Sequence, residues 1–124
     1  MEGYKNNYSI YTEKPIVFSS IFEHNANLIP WRETGATIVL IPMTDSGDFD
    51  YEFLERKLDQ YRNHNSLKVG SFIAGSNITG TIFDVDRIAV LCHKAGFLVC
   101  FDYAATCPYQ DINMTGVVDH GFDF

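Results

Sequence analysis

Three residues of the chain have side chains suited to chemistry on a small ligand. His24 supplies an imidazole, Asn77 an amide and Asp102 a carboxylate, and each lies in a short polar stretch that follows an apolar run. Taken singly, each has a structural explanation, because histidines are common on surfaces, asparagine suits turns and aspartate often caps a helix. A chemical function is favoured only if the three side chains meet at one place.

An imidazole, an amide and a carboxylate are the groups used in the chemistry of a pyridine cofactor. A carboxylate beside the ring nitrogen keeps that nitrogen protonated through a charge-assisted hydrogen bond, and the protonated ring then acts as an electron sink. An imidazole such as that of His24 can stack on the ring, and an amide such as that of Asn77 can hydrogen-bond a ring oxygen. A small residue such as Ala104 lets the other ring face approach closely.

The apolar runs before these residues predict strands of a parallel sheet. They are nearly continuous in apolar or small residues, which is typical of parallel strands covered on both faces. Amphipathic helical patterns lie between them, one with Asp50 as its N-cap and one that begins near Asp84. The predicted strands are 15–20, 36–42, 69–74 and 97–101, and a shorter helix is predicted over 27–34.

The alternation of strands and helices predicts an α/β fold with a mostly parallel sheet and intervening helices. Ligands bind at the carboxyl ends of the strands in such sheets. Because His24, Asn77 and Asp102 each follow a predicted strand, we expect all three at one edge of the sheet.

Composition excludes several other classes of function. The formal net charge of −7 argues against binding to nucleic acid, which needs clustered Lys and Arg. The three cysteines are odd in number and form no C-x-x-C pair, which argues against structural zinc and a disulfide framework. No apolar run has the length of a membrane span or of a signal peptide, so a cytoplasmic protein is expected.

The polar segments resemble the motifs of one enzyme family in their order along the chain. Residues 23–32, EHNANLIPWR, resemble the E-H-H-x-N-x-x-P-W segment of class V aminotransferases and cysteine desulfurases. Residues 74–80 look like the family's S-N-x-x-G turn, and residues 102–105 look like its D-x-A-Q segment. The similarity covers residues 15–114, with residues 1–14 as an N-terminal extension and 115–124 as an unrelated tail.

The resemblance implies part of the large domain of a fold-type I transferase that depends on pyridoxal phosphate. It implies that His24 stacks on the cofactor ring, Asn77 contacts the ring oxygen, Asp102 pairs with the pyridine nitrogen and Ala104 packs on the other face. It further implies an amino-acid substrate, reacting by transamination or carbon–sulfur cleavage, and a homodimer.

The chain departs from the family pattern at informative positions. Asn25 replaces the second histidine, and Ala105 replaces a glutamine of the desulfurases, which weakens a desulfurase assignment. The Schiff-base lysine of the family follows the aspartate, but no lysine occurs after Lys94. No Gly-rich phosphate-binding turn precedes Pro15. We therefore expect a fragment that completes no turnover alone.

Two other functions fit the same residues. One is a non-catalytic α/β binding or interaction protein that retains a vestigial cofactor pocket. The other is an unrelated doubly wound domain in which the motifs coincide by chance, since fold alone does not fix function. Because the lysine is missing, we expect this stretch to catalyse no reaction, whichever ligand it binds.

Overall fold

A computed structural model describes residues 11–23, 25–75 and 82–103, with only the backbone described at residues 25 and 26. Four parallel strands form one sheet in the order β2-β1-β3-β4. This confirms the predicted α/β class with a parallel sheet. The elements along the chain are β1 (Ile16–Ser20), α1 (Asn25–Glu33), β2 (Thr37–Ile41), α2 (Tyr51–Tyr61), β3 (Lys68–Ile73), α3 (Val85–Lys94) and β4 (Leu98–Asp102).

The two inner strands explain the unbroken apolar runs. Every residue of β1 is buried, and β3 is buried from Val69 to Ile73. The outer strand β2 has only Ile41 fully buried. Strands covered on both faces cannot alternate apolar with polar residues, and each observed strand begins and ends within one residue of its prediction.

Helices α2 and α3 begin where the sequence predicts. The Asp50 carboxylate accepts a hydrogen bond from the Phe53 amide at 2.9 Å, and the Asp84 carboxylate accepts one from the Arg87 amide at 3.0 Å. Each bond satisfies an amide that has no partner within its own helix. The buried stripes that attach the two helices to the sheet are Leu54 and Leu58 on α2, and Val85, Ile88, Ala89 and Cys92 on α3.

Helix α1 differs from its prediction at its start. It begins at Asn25, two residues earlier than predicted, so Pro30 lies inside the helix and not in its first turn. Proline has no amide proton and cannot donate to the carbonyl four residues before it. Gly35 follows the helix with φ of 77°, as predicted for a residue that ends a helix in the left-handed conformation.

Four phenylalanines fill the centre of the core. Phe18, Phe49, Phe72 and Phe97 are each almost fully buried. The Phe18 and Phe97 rings lie 4.7 Å apart, and the Phe49 and Phe72 rings meet edge to face at 5.8 Å. Each pair joins a ring of an inner strand, Phe18 of β1 or Phe72 of β3, to a ring of a connecting segment, and adds stability beyond the area it buries. No helix within the described residues is long and apolar enough to span a membrane.

Lys68 ties two helices together at the amino edge of the sheet. Its ammonium donates to the carbonyl of Arg62 at 2.8 Å and to that of Ala95 at 3.3 Å. It also lies 5.7 Å from the centre of the Phe97 ring. A cation at the carboxyl ends of two helices complements both helix dipoles. The amino edge is therefore occupied by structural contacts.

Gly70 provides a test of the packing between β3 and α3. A Cβ at this position would lie 2.7 Å from the Phe72 ring and 3.3 Å from the Cys92 sulfur, and both side chains are buried. We expect Gly70→Ala to lower the free energy of unfolding by about 1–3 kcal/mol, because an overpacked core strains its neighbours. Urea denaturation measures this change.

The compensating variant is Gly70→Ala combined with Phe72→Leu. Removal of the ring makes room for the methyl group, so the double variant should lose less stability than the sum of the single variants. An additive loss would contradict the packing assigned to Gly70.

Candidate functional site at the carboxyl edge of the sheet

The sheet has a topological switch point between β1 and β3. The chain passes from β1 to β2 on one side and then crosses to β3 on the other side of β1. Open α/β sheets bind ligands in the crevice outside the carboxyl ends of the strands at such a point. The loops that follow β1, β3 and β4 all leave from this edge.

Pairing between β1 and β3 is shorter than elsewhere in the sheet. The β1–β3 register runs only from Ile16 opposite Lys68 to Phe18 opposite Gly70, whereas β1 with β2 and β3 with β4 each pair over five residues. The last residues of β1 therefore form no backbone pairs with the last residues of β3. The two strands separate at the edge where the polar segments begin.

Side chains fill this separation with hydrogen bonds. The Ser19 hydroxyl donates to the Ser71 carbonyl at 2.9 Å, and the Ile73 amide donates to the Glu23 carboxylate. Both backbone groups belong to the part of β3 beyond its register with β1. Since a buried backbone group without a partner is costly, these bonds replace the missing rungs of the ladder.

The Glu23 carboxylate is the centre of a larger network. It accepts hydrogen bonds from the Ser20 hydroxyl at 2.9 Å and from the Asn27 amide at 2.6 Å, in addition to the bond from Ile73. The Asn27 carbonyl oxygen in turn accepts from the Ser71 hydroxyl at 3.0 Å. The network thus joins the end of β1, the first turns of α1 and the end of β3.

Asp102 lies at the same edge, as the last residue of β4. It is half-buried and opposite Ile73 in the register, and its carbonyl accepts a hydrogen bond from the Ala74 amide at 2.9 Å. The backbone that presents its carboxylate is therefore held by β3. The other three predicted site residues, His24, Asn77 and Ala104, lie outside the described residues, so their meeting with Asp102 stays a prediction.

The electrostatics of the edge favour a cationic ligand. Burial raises the pKa of Glu23 above its ordinary value, the hydrogen bonds from Ile73, Asn27 and Ser20 oppose that rise, and the charge of Asp102 adds to it. Two carboxylates that interact in this way are both stabilised by a positive group placed near them. A protonated pyridine nitrogen is such a group, so the Asp102 carboxylate fits a pyridine cofactor.

Sequence reasoning missed Glu23, Asn27 and Ser71 as parts of the site. The signal for the first two was present, because positions 23 and 27 have the four-residue spacing at which side chains meet on one side of a helix. Ser71 gave no signal, since a serine within an apolar strand looks like a small core residue. Only the strand order brings its hydroxyl to Asn27.

A second cleft, of about 500 Å³, lies beside the turn after β2. The Tyr51 hydroxyl there accepts a hydrogen bond from the Asp84 amide at 2.8 Å, and the Arg87 guanidinium lies 4.4 Å from the centre of the Tyr51 ring. These side chains bind each other and hold the starts of α2 and α3 together. We assign the cleft a structural role.

Comparison with known proteins adds an independent result. A family model described as Aminotransferase class-V matches residues 2–124 of the chain. A probable cysteine desulfurase of Mycobacterium leprae is 32% identical over 113 residues, which cover 88% of this chain and 25% of that protein. A probable cysteine desulfurase of Halalkalibacterium halodurans is 31% identical over 106 residues, which cover 82% of this chain and 24% of that protein.

A solved structure shows the same relation. The crystal structure of the cysteine desulfurase CsdA of Escherichia coli matches with a TM-score of 0.64 at 27% identity, over 78% of this chain and 25% of that one. The chain therefore spans about a quarter of the length of these proteins.

The raised pKa of Glu23 predicts a specific pH dependence of stability. The native state holds the Glu23 proton more tightly than the unfolded chain, whose pKa is about 4.5. The contribution of Glu23 to the free energy of unfolding is therefore full below pH 4.5 and falls as pH rises through the higher folded pKa. Urea denaturation of the wild type and Glu23→Gln across this range measures it as the difference between the two proteins. An unfolding free energy of the wild type that rises with pH relative to that of Glu23→Gln would contradict the burial assigned to this carboxylate.

Proposed function

Because the chain belongs to the class-V aminotransferase family, as its motifs predicted, we propose that it forms part of the pyridoxal phosphate pocket of an enzyme that acts on an amino acid. The observation that carries this proposal is the position of Asp102. Its carboxylate lies at the carboxyl end of β4, at the same edge as the switch point, on a backbone held by Ala74.

Asp102 is proposed to hold the pyridine nitrogen of the cofactor. A carboxylate at this position keeps the nitrogen protonated through a charge-assisted hydrogen bond. Pyridoxal phosphate supplies an electron sink that stabilises negative charge on the substrate carbon when it is bound. The negative field that Asp102 shares with Glu23 supports this role, since it favours the protonated ring over the neutral one.

Three further residues are proposed for the pocket from the motif match. His24 would stack on the ring, Asn77 would bond the ring oxygen and Ala104 would pack on the opposite face. His24 directly follows Glu23, whose carboxylate is fixed at the switch point. This covalent link supports the placement of the imidazole near the edge where Asp102 lies.

The reaction is proposed to be transamination or carbon–sulfur cleavage of an amino acid. The names of the relatives favour carbon–sulfur cleavage. Ala105, where desulfurases have a glutamine, favours a different branch of the family. A homodimer and a cytoplasmic location are further proposals drawn from the family resemblance.

The 124 residues are proposed not to catalyse a turnover on their own. The Schiff-base lysine of the family follows the aspartate, and this stretch has no lysine beyond Lys94. A nucleophilic lysine amine is the covalent centre of this chemistry. A non-catalytic binding protein is the alternative, but family membership does not favour it.

The first test is a pyridoxal phosphate titration followed by borohydride reduction and mass analysis. We expect no specific reduced adduct on a single lysine of the 124-residue chain, because none lies at the family position. A stoichiometric adduct at one lysine would overturn the statement that this stretch lacks its own catalytic amine.

The second test uses pyridoxine phosphate, which has no aldehyde and reports on binding alone. We expect Asp102→Asn to weaken binding by about tenfold, since the lost bond is one between charged groups. Chemical shifts in an NMR titration measure the affinity and locate the ligand. The matched control is Asp45→Asn, in the turn after β2, which should leave binding unchanged. Equal binding by Asp102→Asn, or ligand shifts confined to another surface, would contradict the proposed pocket.

A further inference from the structure

We propose that Glu23 is a positioning residue of this site: by binding β3 and α1 together, its carboxylate fixes the main chain that continues into His24. The proposal deepens the proposed function, and it rests on that function only for the role of His24. Nothing in the motif chemistry of the pyridine ring requires Glu23 to touch the cofactor.

The turn after β1 is held by hydrogen bonds of its own backbone. The Ile21 amide donates to the Ile41 carbonyl at 3.1 Å, and the Phe22 amide donates to the Ser20 hydroxyl at 3.2 Å. The Glu23 amide donates back to the Ser20 carbonyl at 3.3 Å. The turn of residues 21–23 is thus tied to β1 and β2 by its backbone, and among the described residues the Glu23 side chain bonds it to β3.

The Glu23 carboxylate is held by three hydrogen bonds from different directions. Its two oxygens accept from a strand amide, a helix side chain and a strand hydroxyl, which belong to Ile73, Asn27 and Ser20. A carboxylate held from three directions leaves its main chain little freedom. The next residue along that main chain is His24.

The surroundings of Glu23 do not favour its negative charge. Glu23 is partly buried, and the ion pairs within the described residues, Arg62 with Asp59 and His64 with Glu13, do not include it. Among the described residues, the charge that acts on Glu23 is that of Asp102, which is of the same sign, and its hydrogen-bond donors are neutral. A carboxylate in such surroundings costs stability unless its hydrogen bonds offset the burial. Glu23 is therefore better explained by placement than by stability.

The test exploits the complementarity of Glu23 and Asn27. Glu23→Gln keeps the shape but turns an amide towards the Asn27 amide, whereas Glu23→Gln with Asn27→Asp exchanges donor and acceptor and restores the pair. In this double variant the side-chain oxygen at position 23 still accepts from Ile73, and the new carboxylate at position 27 still accepts from Ser71. Glu23→Ala removes all of the bonds at once.

The readouts are the exchange rate of the Ile73 amide and the imidazole NMR signals of His24 in the chain without cofactor. The His24 signals are identified by their loss in His24→Gln. We expect Glu23→Ala to speed exchange at Ile73 by about tenfold, since a protecting bond is lost, and to shift the His24 signals. The double variant should return both towards the wild type, and Glu23→Gln should fall between.

The matched control is Glu13→Gln. The Glu13 carboxylate also accepts from a backbone amide, that of Asn65 at 2.8 Å, but on the stretch that leads into β1 at the amino edge of the sheet. The Glu13→Gln variant should leave the His24 signals unchanged. His24 signals that stay at their wild-type positions in Glu23→Ala while Ile73 exchange speeds up would overturn the positioning role and leave Glu23 a purely structural residue. A failure of the double variant to restore the His24 signals would count against it equally.

A pyridoxine phosphate titration of the same variants separates this proposal from the proposed function. We expect Glu23→Ala to weaken binding and the double variant to recover it. If the wild type binds no pyridoxine phosphate, the proposed function is lost, and the His24 signals still decide whether Glu23 positions that residue.

Discussion

The separation of β1 from β3 at the carboxyl edge is the constraint on which the site depends. Backbone pairing between these strands ends at Phe18 and Gly70, and beyond that point β3 still has a carbonyl and an amide to satisfy. Ser19 and Glu23 supply the missing partners. The consequence is an edge with buried polar side chains and a carboxylate, at the point where the strand order reverses.

The rest of the molecule supports this edge. Four buried phenylalanines fill the core beside the inner strands, and Lys68 joins two helix ends at the opposite edge. The amino edge is therefore used for stability and the carboxyl edge for polar chemistry. This division is the usual one in parallel sheets, because the starts of the following helices and the loops meet at the carboxyl edge.

Local patterns made the fold predictable. The apolar runs of the inner strands, the capping residues Asp50 and Asp84 and the stripe on α3 each follow from periodicity within a short window. The start of α1 was misplaced, because Pro30 suggested a helix start close before it and the structure accommodates the proline further along. Such a boundary depends on tertiary contacts at Glu23 and Asn27, which no local pattern reveals.

The candidate site was predictable only in part, for a physical reason. Motif residues such as Asp102 are recognisable because their chemistry is specific, whereas Ser71 and Asn27 matter through contacts over 44 positions of sequence. Those contacts exist only once the strand order is known, and that order is a property of the whole sheet. Glu23 was visible in the motif, but its bond to Ile73 was not.

A crystal structure of the chain with pyridoxine phosphate would show which group Asp102 binds. We expect a ring nitrogen at about 2.7–2.9 Å from an Asp102 carboxylate oxygen, the distance of a charge-assisted bond. We also expect that the Glu23 carboxylate still accepts from the Ile73 amide, with His24 on one ring face. A ligand bound away from the carboxyl edge, or a ring nitrogen that faces no carboxylate, would contradict the proposed pocket.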